Sequence, residues 1–359
     1  MLRVAIVGCG KIAEAHAEAI LSLPLADLVA VCDREELMAR QLAERFGAKN
    51  IYNDLETMLR EAKPDVVHIA TPPQSHCEIG KTCLKYGCHV LIEKPFTLNS
   101  QEAHELVRLA QSKNLKLTVG TDEQFSNIAI EMRNLISTGW LGGPSVHMEV
   151  CYGYDLGDER FARAFIKNRD HWLWKLPGQL IQNIIPHAAM KICEFLDGNM
   201  VKVIANGFTS NFLKSLGETD LKDELRAIII DQKGTTAYLT FSTQMRPPLR
   251  QFRVFGPKNG LLLDQDHHAL IKLPGKSYLS YLDKFIPLNN FAHQYRKNMF
   301  KNVWLFLKRK LQMKRGLYNL INVFYQSIER DLPPPTPYSQ IILCSKIIDL
   351  IISQIYDNR

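Results

Sequence analysis

The chain has 359 residues, a length at which two domains are expected rather than one core. Its composition, 46% hydrophobic and 23% charged, is that of a soluble globular protein. Eight cysteines are scattered without a Cys-x-x-Cys pair, so we expect a reducing cytosol and no metal site. The net charge of +7 is uneven: residues 270–316 hold eleven Lys or Arg against Asp283 alone, giving +10 there and −3 elsewhere.

The N-terminal residues lead directly into a predicted strand, so we expect no signal peptide. No membrane span is expected either, because the apolar run 341–355 is interrupted by Lys346 and Asp349. Both features predict a cytoplasmic protein.

The first strand, residues 4–7, is followed at once by Gly-Cys-Gly-Lys-Ile-Ala and a helix to about residue 21. This is the Gly-x-Gly-x-x-Ala form of the dinucleotide fingerprint, in the required strand-to-helix context. Gly8 permits the tight turn, Gly10 lets the backbone approach a pyrophosphate, and Ala13 allows close packing of helix on strand. The predicted cofactor-binding residues of this turn are Gly8, Gly10, Lys11 and Ile12.

A second strand, residues 28–32, ends at Asp33, which lies 23 residues after Gly10. This is close to the spacing at which an acidic residue binds the ribose hydroxyls of the cofactor. The carboxylate favours NAD because it would repel a 2′-phosphate. The neighbouring Arg34 leaves NADP open, since an arginine can accept that phosphate.

A strand at 66–70 runs into Thr71-Pro72-Pro73-Gln74-Ser75-His76. Two prolines after a strand predict a rigid turn. Thr71, Pro72 and His76 are predicted to border the nicotinamide. For His76, an exposed position at a helix start is the alternative.

The strand 89–92 ends in Glu93-Lys94-Pro95, and a buried strand that delivers a lysine at its carboxyl end predicts a site there. A surface loop with an ion pair is the alternative for these three residues alone. With a helix at 100–112 and a strand at 116–120, the cycle of strands and helices predicts a doubly wound parallel sheet.

Together, the glycine turn, Asp33, Thr71-Pro72-Pro73 with His76, and Glu93-Lys94-Pro95 resemble the Gfo/Idh/MocA family of oxidoreductases. The resemblance implies an N-terminal Rossmann domain at 1–122 and a C-terminal α+β domain with an open antiparallel sheet at 123–359. The second domain would include a basic insertion at about 270–316 and C-terminal helices at 317–357. The resemblance also implies NAD or NADP as cofactor, a sugar or polyol substrate, a homo-oligomer through the C-terminal sheet, and a cis Lys94-Pro95 peptide.

The second half of the sequence agrees with this architecture. A helix is predicted at 125–139 and a long strand at 145–154. Lys233-Gly234 predicts a hairpin, and strand-like runs recur at 200–212, 224–231, 235–243, 249–255 and 260–264.

The resemblance also implies the acid–base residues. The family supplies the lysine of Glu-Lys-Pro together with an Asp and a His four residues apart on one helix. Here Asn183 stands where the family usually has Asp, and an amide cannot take a proton. We therefore expect His187 to act as acid or base, Lys94 to orient or assist, and Asn183 to share the helix face of His187.

Three classes of function fit these features. The first is an NAD(P)-dependent oxidoreductase acting on a nucleotide- or lipid-linked sugar. The second is a glycosidase that oxidises a sugar carbon transiently, so that the acidified neighbouring carbon permits elimination. The third is a non-catalytic NAD(P)-binding regulatory protein, which Asn183 makes conceivable.

Residues 295–313 combine a wide apolar arc, rich in aromatic side chains, with flanking cations. This profile is typical of a helix lying in a membrane interface, which predicts peripheral contact with the inner face of the membrane. Packing of the apolar arc on its own domain or on a dimer partner is the alternative. Nucleic acid is not expected, because the basic residues form one local cluster without a recognisable binding module.

Overall fold

The structure is a computed structural model, and it describes residues 1–157, 159–198, 200–308, 311 and 314–356. The chain divides into two compact units. Unit one contains residues 1–125, 175–177 and 316–349, and unit two contains residues 126–174, 178–315 and the chain from 350 onward.

Unit one alternates strands and helices along its N-terminal part. In chain order the elements are β1 Leu2–Val7, α1 Lys11–Leu21, β2 Ala26–Cys32, α2 Glu36–Phe46, β3 Asn50–Tyr52, α3 Leu55–Ala62, β4 Val66–Ile69, α4 His76–Lys85, β5 His89–Ile92, α5 Ser100–Ser112 and β6 Leu117–Val119. The short strands β4 and β5 are apolar and almost wholly buried, as expected for a parallel sheet covered on both faces.

The six strands form one parallel sheet in the order β3-β2-β1-β4-β5-β6. The strand order reverses between β1 and β4, which pair from Val4 with Val66 to Val7 with Ile69. Ligands bind outside the carboxyl ends of the strands at such a point. The doubly wound Rossmann sheet predicted from the sequence is confirmed.

The C-terminal helices follow as α12, Arg315–Glu329, and α13, Tyr338–Tyr356. Residues 316–349 cluster with unit one, whereas the sequence placed these helices in the second domain. The reason is packing: Leu317, Ile321, Phe324 and Tyr325 of α12 belong to the same buried cluster as the side chains of β1 and α1. Unit one is thus a Rossmann fold completed by a distant segment of chain.

Unit two contains the remaining elements. They are α6 Asn127–Ser137, β7 His147–Gly153, α7 Glu159–Lys167, α8 Gln179–Ile184, α9 Pro186–Cys193, β8 Val201–Phe208, α10 Asn211–Ser215, β9 Glu224–Asp231, β10 Thr236–Ser242, β11 Arg250–Phe255, β12 Asn259–Asp264, β13 Ala269–Pro274 and α11 Ile286–Leu307. Of these, α7, α10 and β13 do not have a counterpart among the predicted elements, and the strand-like run predicted to residue 212 ends at Phe208.

Seven strands form the second sheet in the order β13-β12-β11-β7-β10-β9-β8. All neighbouring pairs are antiparallel except β7 and β10, which run parallel from His147 with Thr236 to Gly153 with Ser242. The predicted hairpin at Lys233-Gly234 joins β9 to β10, with Gly234 at φ +87°. The open, mostly antiparallel sheet is confirmed.

In the part of the chain that the structure describes, α13 alone has the length and apolar composition to cross a membrane. Of its most apolar window, 44% is buried inside the structure. Asp349 within it accepts a hydrogen bond from the Ser100 backbone N–H at 2.7 Å.

Candidate functional site

The turn after β1 contains two glycines with different constraints. Gly8 has φ +90°, and a Cβ there would lie 2.6 Å from the backbone nitrogen of Thr71, so a larger residue does not fit. Gly10 has no atom within 4 Å of its Cβ position, and α1 begins after it without a side-chain cap. Lys11 and Ile12 in the first turn of α1 are exposed. Open space and uncapped N–H groups at a helix N-terminus suit a pyrophosphate.

The side chain of Asp33 lies at this turn. Its Oδ2 accepts a hydrogen bond from the Cys9 backbone N–H at 2.7 Å, and its Oδ1 accepts one from the Glu35 N–H at 3.0 Å. These bonds fix the carboxylate at the carboxyl end of β2, where the sequence places a ribose-binding residue. Arg34 next to it is exposed.

The loops after β4 and β5 are joined by His76. Its Nε2 lies 2.8 Å from the carbonyl oxygen of Thr71, and its Nδ1 lies 2.9 Å from that of Pro95. The side chain is fully buried, so the predicted alternative of a solvent-exposed helix start is wrong. Burial lowers the pKa of His76, and this effect is larger than that of the hydrogen bonds to backbone carbonyls, which raise it. His76 therefore contacts both loops, and its neutral ring donates its single N–H to one of the two carbonyl oxygens. Pro72 is exposed.

Lys94 follows β5 at the same edge of the sheet and is partly buried. Burial lowers the pKa of Lys94 below its usual value. The nearby acidic groups of Glu93, Asp122 and Glu123 act in the opposite direction and raise it, but by less. Burial raises the pKa of Asp122 to about 7, assisted by Glu123 and Glu93 and opposed by Lys94. The lysine thus shares its surroundings with a carboxyl group that titrates near neutrality. The Lys94-Pro95 peptide is cis, as the resemblance implies.

Glu93 begins a buried chain of hydrogen bonds. Its Oε1 lies 2.9 Å from Nε2 of His16 on α1, and Nδ1 of His16 lies 2.9 Å from Nδ1 of His68 on β4. Nε2 of His68 lies 2.9 Å from the hydroxyl of Tyr325 on α12. Gly120 leaves room for the carboxylate, because a Cβ there would lie 2.5 Å from Oε1 of Glu93.

One arrangement of protons satisfies all of these contacts with both rings neutral. The Tyr325 hydroxyl donates to His68, His68 donates to His16, and His16 donates to the Glu93 carboxylate. Burial, with a smaller effect of His16, holds the pKa of His68 well below its usual value, in agreement with a neutral ring. The buried chain therefore fixes the residue immediately before Lys94.

In unit two, Asn183 and His187 do not lie on one unbroken helix. α8 ends at Ile184 and α9 begins at Pro186, which has no N–H to continue the helical hydrogen bonds. In the fully described stretch 180–193, only Asn183 and His187 are not buried. The expectation of a single helix is wrong, and that of a shared face stays a prediction.

The surroundings of His187 include a lysine that the sequence analysis missed. The His187 ring is parallel to that of Tyr152, with centroids 6.3 Å apart. Nζ of Lys191 lies 5.4 Å from the centroid of the Tyr152 ring and forms a hydrogen bond with Oε1 of Gln265. Lys191 is only 5% exposed. The sequence does contain a signal for Lys191, because it is a charged residue one helical turn after His187 in an otherwise apolar helix.

The structure thus brings the predicted cofactor-binding residues of unit one to one edge of its sheet. Lys94 belongs to unit one, and Asn183 and His187 belong to unit two. Asp122 was missed by the sequence analysis, although it follows a strand at the same edge as Lys94. The buried partners of Glu93 were also missed, because nothing local in the sequence relates them.

Comparison with known proteins identifies a relative of part of the chain. A relative in Escherichia coli (strain K12), named D-glucoside 3-dehydrogenase, is 34% identical over 142 residues, which are 39% of this chain and 40% of that protein. The alignment therefore spans about two fifths of that relative.

Two solved structures share the fold over nearly the whole chain. The UDP-N-acetylglucosamine 3-dehydrogenase of Acidithiobacillus ferrooxidans has a TM-score of 0.74 and 19% identity, covering 99% of this chain and 98% of that one. The WlbA dehydrogenase of Bordetella pertussis, in complex with NADH and UDP-GlcNAcA, has a TM-score of 0.79 and 16% identity, covering 100% and 96%.

Residues 2–121, about a third of the chain, match the family model described as "Oxidoreductase family, NAD-binding Rossmann fold". The match contains the glycine turn, Asp33, Thr71 and Lys94, the residues that the structure places at one edge of the first sheet. Over this domain the chain is similar to the Gfo/Idh/MocA family of NAD-binding oxidoreductases.

Proposed function

We propose that the protein is an NAD-dependent dehydrogenase or reductase that acts on a hydroxyl or ketone of a nucleotide-linked sugar. The observation that carries the proposal is Lys94, a lysine whose pKa is lowered by burial, at the same sheet edge as the glycine turn. Support for the substrate comes from the relatives, which are named for a glucoside and for UDP-sugars.

The cofactor fits the residues present in unit one. Backbone N–H groups at the start of α1 would hold the pyrophosphate over Gly10, with Lys11 and Ile12 beside it. Asp33 would accept hydrogen bonds from the ribose hydroxyls, which favours NAD over NADP. Thr71 and Pro72 would border the nicotinamide, and His76 would hold their loop. Bound NAD supplies the hydride acceptor.

The protein must then move the proton of the substrate hydroxyl. His187 would take it, because an imidazole titrates near neutrality. The Lys94 ammonium would donate a hydrogen bond to the substrate and stabilise developing negative charge. Asn183, whose amide cannot take a proton, would orient a neighbouring hydroxyl of the sugar. In the reverse direction the same groups return the proton.

The proposed reaction is tested by following nicotinamide absorbance during turnover. A panel of UDP-sugars is assayed with NAD, and their keto forms are assayed with NADH. His187→Gln and Lys94→Ala should each lower kcat by about 10²–10⁴-fold while NADH still binds. His293→Gln and Lys113→Ala change exposed residues of the same types in the same units, and both should keep full activity.

Other outcomes identify the other classes of function. If substrate is consumed while bound cofactor returns unchanged, the enzyme is a redox-elimination glycosidase rather than a net dehydrogenase. If NADH binds but neither absorbance nor any sugar changes, the protein is a binding or regulatory member of the family. Unchanged rates in both site variants would remove Lys94 and His187 from the proposed reaction.

We also propose that the second sheet joins two or more copies of the chain. Its described outward-facing side chains include Ile204 and Phe208 on β8 and Tyr238 on β10, which are 49%, 44% and 46% exposed. Light scattering after size exclusion tests this, and a monomeric mass at working concentration would contradict it.

A further inference from the structure

Helix α11 contacts its own unit through its polar side. Gln294 exchanges two hydrogen bonds with the backbone of Lys272, and Asn298 exchanges two with that of Leu270. Both partners lie on β13, the edge strand of the second sheet. An edge strand presents unpaired backbone groups, and α11 covers them with side-chain amides. The polar side of the helix is therefore occupied by the protein itself.

The apolar side of α11 is left at the surface. Among the described residues of this helix, Leu305 alone is buried. The large side chains that remain exposed include Phe300 at 65%, Trp304 at 54%, Phe306 at 69% and Leu307 at 73%. The alternative that this apolar arc packs on its own domain is therefore wrong for the described residues. Helix α11 also begins earlier than predicted, and residues 309, 310, 312 and 313 lie outside the described part of the chain.

Phe306 and other side chains of the same apolar arc border a groove. It has a volume of about 690 Å³ and a predominantly apolar lining. Its walls include Tyr295, Met299, Val303 and Phe306 of α11, together with Ala269 at the start of β13. Exposed apolar side chains that adjoin an apolar groove indicate a contact site rather than scattered surface residues.

The positive charge of the segment around α11 indicates what kind of partner binds this surface. The segment 270–316 carries +10, with Asp283 as its single acidic residue. A second copy would bring another +10 against it, so self-association through this face meets like-charge repulsion. Exposed lysines also lie over aromatic rings at its border: Lys284 over Tyr281 at 5.9 Å and Lys308 over Trp304 at 5.9 Å. Aromatic rings with adjacent cations suit the boundary between acyl chains and anionic headgroups.

We propose that α11 and the preceding segment from Leu279 form a docking surface for an anionic lipid bilayer. The apolar side chains of α11 enter the interface while Lys284, Arg296, Lys297 and Lys308 contact headgroups. The sheet edge orients this helix so that its apolar side faces outward. The attachment is reversible and depends on salt, because it combines shallow apolar burial with surface charge.

The test is co-sedimentation of the full chain with vesicles of phosphatidylcholine alone or mixed with phosphatidylserine, at low and high salt. We expect binding only to the mixed vesicles, weakened by salt. Lys297→Ala and Lys308→Ala should each weaken it about fivefold. Phe300→Ser with Leu307→Ser should abolish it. Leu37→Ser, which changes a 63% exposed residue of α2, is the matched control and should bind as the wild type.

Two further measurements complete the test. Trp304 emission should shift to shorter wavelength with mixed vesicles, and Trp304→Phe should remove that shift. Protein that stays in the supernatant at low salt overturns the proposal. So does a drop in oligomeric mass caused by Phe300→Ser with Leu307→Ser, since that result assigns the surface to a second copy. Neither outcome bears on dehydrogenase activity, which is measured separately with soluble sugars.

Discussion

Replacing Tyr325 with phenylalanine tests the buried chain that ends at Glu93. The change removes one hydroxyl and keeps the ring that packs among the core side chains of unit one. That hydroxyl lies 2.9 Å from Nε2 of His68, and both side chains are fully buried. In Tyr325→Phe the ring nitrogen of His68 loses its donor at a position that water does not reach.

The expected cost follows from that loss. A buried polar group deprived of its partner costs about 1–3 kcal/mol. Because the aromatic ring is retained, the cavity left by one oxygen adds little. In a unit of this size class, each kcal/mol lowers Tm by about 2–4 °C, so a loss of about 2 kcal/mol corresponds to about 4–8 °C.

The assay is thermal and urea unfolding of the cofactor-free protein. Tyr86→Phe is the matched control, because its hydroxyl bonds Glu56 at the exposed surface of the same unit. Exposed bonds of this kind contribute little, so the control should unfold within about 0.5 kcal/mol of the wild type. If Tyr325→Phe is as stable as Tyr86→Phe, the chain of hydrogen bonds does not stabilise unit one and the reasoning is wrong.

Three further predictions concern residues at the carboxyl ends of the strands in the first sheet. Gly10→Ala should fold normally, because the added Cβ enters open space, but it should bind NADH at least tenfold more weakly in a fluorescence titration. Gly8→Ala should instead lower Tm, because Gly8 has φ +90° and the added Cβ would clash with backbone atoms. Gly120→Ala should lower kcat with little change in secondary structure, because its Cβ displaces the Glu93 carboxylate, whereas an unchanged kcat would show that this carboxylate does not position Lys94. The third prediction concerns pH. Burial raises the pKa of Asp122 from 3.8 to about 7, so the folded state holds this proton more tightly than the unfolded state. The resulting stability is fully present below pH 3.8 and is lost as pH rises through 7, by at most about 4 kcal/mol, less in practice because the side chain is partly exposed. Asp122→Asn should therefore be more stable than the wild type in urea at pH 8 and not at pH 4, and equal stability at both would contradict the shift.

The residues proposed to bind the cofactor could be selected from the sequence because their signals are local. Gly8 and Gly10 follow a strand and open a helix within six residues, and Asp33 ends the next strand. In a parallel sheet the carboxyl ends of strands share one edge, so Thr71 and Lys94 follow by the same rule. Strand 89–92 and helix 100–112 were predicted with the bounds that the structure shows.

Tertiary structure alone decided the surroundings of these residues. His16, His68 and Tyr325 are far apart in sequence, and no local period relates a histidine on a helix to a tyrosine some 300 residues later. The buried state of His76 and the raised pKa of Asp122 likewise depend on what packs around them. For α11 the sequence defined an apolar side and a basic border. Which side faces outward was decided by the hydrogen bonds of Gln294 and Asn298 to an edge strand, because unpaired backbone groups at a sheet edge select polar partners.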